Sequence, residues 1–177
     1  MSLYARISRL HSTTIFMPRN CRLFSHQSKA SDKPIGFIGL GHMGSKMVRN
    51  FAADGHSVMV FDASPQAIDD TVALGGSKVT PATSVENVAS HCNVVFSMLP
   101  NDKIVEEVSK KLLAGSHQNL THISCSTISP TLSRQMVQLY HSKKSDFVAG
   151  PVFARPDGLA RREATFMVAG SSEVWIR

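Results

Sequence analysis

The sequence is poor in several features on which whole classes of protein depend. Only three of its 177 residues are cysteines, and no two of them form a Cys-x-x-Cys pair, which argues against a disulfide scaffold or a cysteine zinc site. The eight histidines are scattered without an i, i+4 pair on one helix, so no metal site is predicted and all eight are expected to be ordinary surface or core histidines. No apolar run is long enough to cross a bilayer. With 42% hydrophobic and 18% charged residues, the chain suits one domain with a core of its own.

Acidic side chains are absent before Asp32. The first 31 residues combine serines and spaced apolar residues with five bases: Arg6, Arg9, Arg19, Arg22 and Lys29. This pattern is typical of a mitochondrial presequence, so residues 1–31 predict import into the matrix; a disordered basic tail without a targeting role is the alternative. The rest of the chain has 14 bases against 13 acids, a balance that argues against a nucleic-acid-binding protein.

From residue 34 onwards, short apolar runs alternate with longer amphipathic segments. Strands are predicted at residues 34–39, 57–62, 93–99, 122–124, 146–149 and 165–169, with a short one at Val79. Helices are predicted at residues 42–53, 65–74, 84–90, 102–113 and 130–140. Ser64 and Ser129 are each expected to cap the helix that follows, with Pro65 or Pro130 at its first position. This alternation is typical of βαβ units. It predicts one α/β domain over residues 34–173, with a doubly wound, Rossmann-type, mostly parallel sheet and helices on both faces.

The segment from Gly39 to Gly44 has the pattern G-x-G-x-x-G, and it follows a predicted strand and opens a predicted helix. In that context Gly39 permits a tight turn, Gly41 lets the backbone approach a pyrophosphate, and Gly44 lets the helix pack against the strand. The N–H groups around His42 and Met43 would then face the anion. The alternative is that the three glycines only form a turn.

The next predicted strand ends in Asp62, eighteen residues after Gly44. A carboxylate at this position can accept hydrogen bonds from an adenosine ribose diol, and it would repel a 2′-phosphate. Ala63 and Ser64 follow it, where an arginine would favour NADP. The pattern therefore favours NAD and leaves NADP open, while a role for Asp62 as a helix cap is the alternative.

Three further loops follow predicted strands, at the edge of the sheet where ligands bind. Leu99 and Pro100 could line a cofactor path, although this loop is equally consistent with a plain turn capped by Asn101. Residues 124–130 carry hydroxyl groups that could hold a carboxylate, although capping is the commoner use of such residues. In the third loop Arg155 could clamp a carboxylate, lie in solvent, or pair with Asp157.

These four stretches, in this order, resemble the β-hydroxyacid dehydrogenase family, in particular its 3-hydroxyisobutyrate dehydrogenases. The resemblance rests on residues 37–44, 98–101, 126–130 and 166–170. It implies hydride transfer between a small β-hydroxy acid and a nicotinamide cofactor. The implied cofactor contacts are Gly39, Leu40, Gly41, His42, Met43, Gly44, Asp62, Leu99, Pro100 and Thr127. For the substrate carboxylate, the resemblance implies Ser126, and Arg155 is a candidate that departs from the family pattern.

The chain departs from the family pattern in three places. Ser124 and Cys125 replace the usual acid and serine, and residues 153–155 replace a Ser-Gly-Gly segment that lets substrate lie against the backbone. The family's catalytic lysine and its all-helical domain would follow Arg177, and Lys143 and Lys144 lie on the wrong side of the substrate motif. We therefore expect the 177-residue chain to contain no catalytic residue and to be inactive alone. A non-catalytic NAD(P)-binding module is the alternative. Without the helical domain, this domain would expose apolar surface, so we also expect poor solubility or a homo-oligomer.

Overall fold

The computed structural model describes residues 33–116 and 119–170 of the chain. Six strands form one sheet in which every neighbouring pair is parallel. In chain order they are β1 (Ile35–Ile38), β2 (Val58–Phe61), β3 (Val79–Pro81), β4 (Val94–Ser97), β5 (Thr121–Ser124) and β6 (Asp146–Ala149). The predicted presequence, residues 1–31, lies outside the described residues.

The order of the strands across the sheet is β3-β2-β1-β4-β5-β6. The chain therefore builds outward from β1 to β3, returns to the middle, and builds outward again from β4 to β6. This order confirms the predicted doubly wound, Rossmann-type sheet. It also places the topological switch point between β1 and β4, where ligands of such sheets bind beyond the carboxyl ends of the strands.

Helices cover both faces of the sheet, as predicted. They are α1 (Gly44–Ala53), α2 (Pro65–Gly75), α3 (Val85–His91), α4 (Asp102–Gly115), α5 (Pro130–Ser142) and α6 (Pro156–Ala160). Before α2, α3, α4 and α5, the side chain of Ser64, Ser84, Asn101 or Ser129 accepts a backbone N–H from the first turn. The caps predicted at Ser64 and Ser129, each followed by proline at the first helical position, are thereby confirmed.

The helix α1 begins two residues later than predicted, at Gly44. His42 and Met43 still belong to the turn, in which the Ser45 N–H donates to the Gly41 carbonyl oxygen and the Lys46 N–H donates to the Met43 carbonyl oxygen. The apolar spacing of the segment did not reveal this boundary, since Met43 is compatible with either a turn or a helix.

The chain after β6 also differs from the prediction. The predicted loop contains β7 (Val152–Phe153) and the short helix α6, and the predicted strand at residues 165–169 is reduced to β8 (Thr165–Phe166). β7 and β8 form a separate antiparallel pair, and Ala169 makes an isolated antiparallel bridge to Ala149. Elements of two to five residues are too short to produce a recognisable periodicity, so only their long-range pairing defines them.

The sheet separates two apolar clusters. One is packed with side chains from α3, α4 and α5, and the other with side chains from α1, α2 and α6. In the second cluster the rings of Phe37 and Phe96 stack with centroids 6.3 Å apart and planes 7° apart. Cys92 is buried in the first cluster and Cys125 in the second, both as free thiols. Burial raises the pKa of Cys125 to about 12, so this cysteine behaves as an apolar core residue.

Candidate functional site

A cleft of about 660 Å³ opens at the carboxyl ends of β1, β2 and β4, at the switch point of the sheet. Its lining comes from the glycine turn, the ends of these strands, and one face each of α3 and α4. The lining residues are Ile38, Gly39, Gly41, His42, Met43, Gly44, Phe61, Asp62, Ala63, Val85, Met98, Leu99, Pro100, Ile104, Glu107, Val108 and Lys111. The cleft therefore brings together most of the cofactor contacts that the sequence predicted.

The glycine turn packs tightly at its two ends and is open in the middle. Gly39 has a φ of +93°, and a Cβ at this position would collide with the Met98 carbonyl oxygen. A Cβ at Gly44 would collide with the Gly39 carbonyl oxygen and lie 3.1 Å from the Phe37 ring. A Cβ at Gly41, in contrast, would have no atom within 4 Å. The backbone at Gly41 is thus exposed to the cleft, and a larger residue here would obstruct a ligand without disturbing the fold.

Three successive N–H groups of the turn, at Gly41, His42 and Met43, donate no hydrogen bond within the described part of the chain. They lie at the N-terminal end of α1, which has ten residues. Unpaired N–H groups at this end of a helix attract negative charge, because the aligned peptide dipoles add a partial positive charge there. The turn is therefore suited to an anion such as a phosphate group.

Asp62 follows β2 and lines the cleft beside the turn. Its Oδ2 accepts the Leu40 N–H at 2.6 Å, and its Oδ1 accepts the Ser64 N–H at 2.8 Å. Ser64 itself caps α2, so the predicted alternative of Asp62 as the cap is wrong. An ionised carboxylate has about four acceptor positions, so two are still available for hydroxyl donors. The sequence predicted the position of this acid but not its bond to the glycine turn.

The wall opposite the glycine turn was not predicted. Ile104, Glu107, Val108 and Lys111 lie at helical spacing on one face of α4, with Val85 of α3 beside them. In sequence this spacing is the same as that of a helix face packed on the core, so it gives no separate signal for a ligand. The wall combines apolar side chains with one acid and one base.

Ser126, the predicted contact for the substrate carboxylate, is buried. The residue is 1% exposed, and its hydroxyl accepts the Leu99 N–H at 2.7 Å. Thr127 is exposed. Leu99 and Pro100 line the cleft, whereas Ser126 and Thr127 follow β5, one strand further from β1.

Arg155 lies on the surface, before α6. Its side chain is 91% exposed, and its Nε lies 3.7 Å from the Asp157 carboxylate. Of the three roles that the sequence left open for Arg155, the structure therefore shows the pairing with Asp157. Exposure of both groups makes such a pair weak.

A buried polar cluster joins four elements behind the cleft. The His122 ring lies with Nε2 2.8 Å from the Ser97 hydroxyl and Nδ1 2.8 Å from the Tyr140 hydroxyl, and the Ser109 hydroxyl is 3.5 Å from Nδ1. Desolvation lowers the pKa of His122 to about 3, so the ring is neutral. The sequence predicted an ordinary histidine here. Only the packing of β4, β5, α4 and α5 reveals its partners.

Within the described ranges, no group of three or more histidine, cysteine, aspartate or glutamate side chains is placed to hold a metal ion. No helix in those ranges is both long and apolar enough to cross a membrane.

Known proteins share both the sequence pattern and the fold of this chain. The family model for the NAD-binding domain of 6-phosphogluconate dehydrogenase matches residues 34–177. The mitochondrial 3-hydroxyisobutyrate dehydrogenase of Drosophila melanogaster is 35% identical over 140 residues, which is 78% of this chain and 42% of that protein. An NAD-dependent L-serine dehydrogenase of Pseudomonas aeruginosa is 36% identical over 144 residues, or 80% of this chain and 47% of that protein.

A solved structure of the 3-hydroxyisobutyrate dehydrogenase of Mycobacterium tuberculosis with L-serine superposes with a TM-score of 0.75 at 32% identity. The match covers 82% of this chain and 49% of that chain. The chain thus spans less than half the length of the curated relatives it matches. The similarity lies in the domain that carries the glycine turn.

Proposed function

Because the chain belongs to the family of NAD-binding domains represented by that of 6-phosphogluconate dehydrogenase, we propose that its cleft binds NAD in preference to NADP. We propose further that the whole protein transfers a hydride between this cofactor and a small β-hydroxy acid. The observation that carries the proposal is the open backbone at Gly41, beside the N–H groups of residues 41–43, which have no acceptor among the described residues. A pyrophosphate is the part of a dinucleotide that such a turn recognises.

The proposed preference for NAD rests on the charges near Asp62. A 2′-phosphate bound beside this carboxylate would be repelled, and the next two residues are the uncharged Ala63 and Ser64. Lys111 also lines the cleft, but Glu107 lies one turn before it on the same helix and offsets its charge. Isothermal titration of the chain with each cofactor tests this: NAD should bind at least about tenfold more tightly, and equal or tighter binding of NADP would refute it.

The residues of the chain would bind and orient the reactants. The dinucleotide supplies the hydride acceptor. We assign Leu99, Pro100 and Thr127 to the path of the cofactor, and Ser126 and Arg155 to the carboxylate of the substrate. Two of the relatives are named for 3-hydroxyisobutyrate and L-serine, and both of these are small acids with a β-hydroxyl group. That shared chemistry supports the proposed substrate class.

The hydroxyl proton of the substrate needs a base within hydrogen-bond reach. His122 is buried outside the cleft with a depressed pKa, and Lys143 and Lys144 are exposed at the far end of α5. We therefore propose that the 177 residues bind cofactor without turnover, and that the catalytic lysine and all-helical domain implied by the resemblance belong to sequence outside them. Under this proposal the chain should bind NAD but fail to reduce it with 3-hydroxyisobutyrate or L-serine. Reduction of NAD by the chain alone would refute it.

A non-catalytic NAD(P)-binding module is the second candidate, supported by the positions of His122, Lys143 and Lys144, none of which lines the cleft. Sequencing the transcript would distinguish the two candidates. A reading frame that continues past Arg177 into a lysine-bearing helix would support the dehydrogenase, and a stop codon at that point would support the module.

We also propose that residues 1–31 direct the protein to the mitochondrial matrix. The acid-free, arginine-containing composition of the segment supports this, as does the mitochondrial name of the Drosophila relative. A fluorescent protein fused to residues 1–31 should reach the matrix, and replacing Arg6 and Arg9 with glutamate should keep it in the cytosol. Cytosolic location of the unchanged fusion would refute the assignment.

A further inference from the structure

The Leu40 N–H group has one acceptor in the described structure, and it is the carboxylate of Asp62 at 2.6 Å. Leu40 lies between Gly39, whose φ is positive, and the exposed Gly41. A short bond to an ionised acceptor is among the stronger hydrogen bonds in proteins. The peptide plane between Gly39 and Leu40 is therefore oriented by a side chain that comes from the end of the neighbouring strand.

The other contacts of the turn act at its two ends. The Gly39 N–H donates to the Phe61 carbonyl oxygen at 3.0 Å, which continues the pairing of β1 with β2. The Ser45 N–H donates to the Gly41 carbonyl oxygen at 3.1 Å, which begins α1. Between these points the backbone is held by the hydrogen bond from the Leu40 N–H to the Asp62 carboxylate. The N–H groups of residues 41–43 come directly after the peptide that this bond orients.

We propose that Asp62 is a positioning residue for the glycine turn, and that this role is separate from any contact with the ribose of a cofactor. The proposal rests on the proposed function, because the turn matters as a binding element for a dinucleotide. One oxygen of the carboxylate holds Leu40 and the other holds Ser64 at the start of α2. Asp62 thus links the anion-binding turn to the loop that follows β2.

The substitution Asp62→Asn separates the two roles. An asparagine side chain has one acceptor oxygen and one donor NH₂ group, so it cannot accept both N–H groups. It also removes a negative charge near the phosphates of the ligand, which by itself would strengthen binding. A loss of affinity in this variant therefore cannot come from charge, and Asp69→Asn, on the exposed side of α2, provides the matched control for net charge.

The binding test uses NAD and an NAD analogue whose adenosine ribose lacks both hydroxyl groups. If Asp62 positions the turn, Asp62→Asn should weaken binding of the analogue about tenfold, because a hydrogen bond to a charged group that orders the site is lost. NAD should lose at least as much, and Asp69→Asn should change neither affinity. Equal binding of the analogue to the wild-type protein and to Asp62→Asn would overturn the proposal.

Amide hydrogen exchange tests the same point without any ligand or variant. In the cofactor-free wild-type protein, the Leu40 amide should exchange at least about tenfold more slowly than the amides of Gly41 and His42. Equal exchange at the three positions would overturn the proposal even if Asp62→Asn does not fold. If wild-type protein binds neither NAD nor the analogue, the proposed function fails, while the exchange rates still decide whether Asp62 holds the turn.

Discussion

The Ser126 hydroxyl, at the end of β5, accepts the backbone N–H of Leu99, at the end of β4, at 2.7 Å. Asp62, which follows β2, accepts the backbone N–H of Leu40, which follows the neighbouring strand β1. In both pairs a side chain that sequence patterns assign to a ligand also holds the loop of the neighbouring strand. At the edge of the sheet that forms the cleft, hydrogen bonds to Asp62 and Ser126 therefore connect the loops of neighbouring strands.

The first prediction concerns Ser126. The variant Ser126→Ala leaves the Leu99 N–H without its acceptor, so the free energy of unfolding should fall by about 1–3 kcal/mol. NAD affinity should also fall, since Leu99 lines the cleft. Urea denaturation and titration measure both effects, with Thr127→Ala, an exposed neighbour, as the stability control. If Ser126 serves the substrate alone, neither quantity will change in the absence of substrate.

The second prediction compares two glycines of the turn. Gly41→Ala should preserve the melting temperature, because its Cβ would meet nothing within 4 Å, yet it should abolish measurable NAD binding by blocking the pyrophosphate. Gly39→Ala should instead destabilise the fold by more than about 1 kcal/mol, since alanine is strained at its φ of +93°. Normal NAD affinity in Gly41→Ala would show that the ligand does not approach this backbone.

The third prediction concerns pH and the buried imidazole of His122. Its pKa is about 3 in the folded protein, below the ordinary value of 6.5, so the unfolded state binds the additional proton as the pH falls. Stability should therefore be complete above pH 6.5 and decline below it, by about 2 kcal/mol between pH 7 and pH 5.

Urea denaturation at several pH values checks this dependence. The variant His122→Leu should be less stable at pH 7, because Ser97 and Tyr140 lose a partner, but its stability should fall less steeply below pH 6.5. His141→Gln, an exposed position near the end of α5, should keep the wild-type slope. An unchanged slope in His122→Leu would mean that another group causes the acid sensitivity.

The fourth prediction concerns association. Phe153 and Phe166, on the small β7–β8 sheet, and Met167, which directly follows it, are exposed by 57%, 40% and 46%. Exposed apolar surface of this kind promotes association. The chain should therefore elute from a sizing column as an oligomer or aggregate. Phe153→Ser combined with Met167→Ser should shift it towards monomer. The control Leu74→Ser, at a position on α2 that is 68% exposed, should not. A monomeric wild-type chain would contradict the prediction.

Much of the fold could be read from local patterns. Buried parallel strands appear as short apolar runs, and serine followed by proline marks helix starts at Ser64 and Ser129. The small sheet of β7 and β8 and the start of α1 could not be placed in the same way, because they are defined by pairings and by a turn with no periodicity of their own. The face of α4 that lines the cleft could not be predicted either, because a helix face that lines a cavity has the same residue spacing as one that packs on the core.

The sequence by itself determined the alternation of strands and helices, the glycine turn and the acid at the end of the next strand, because backbone geometry and apolar burial act over a few residues. Only the tertiary structure decided what those residues contact. Asp62 reaches Leu40 across 22 residues, Ser126 reaches Leu99 across 27, and His122 lies between Ser97 and Tyr140. A hydrogen-bond partner depends on which strands become neighbours, and that order is a property of the whole sheet.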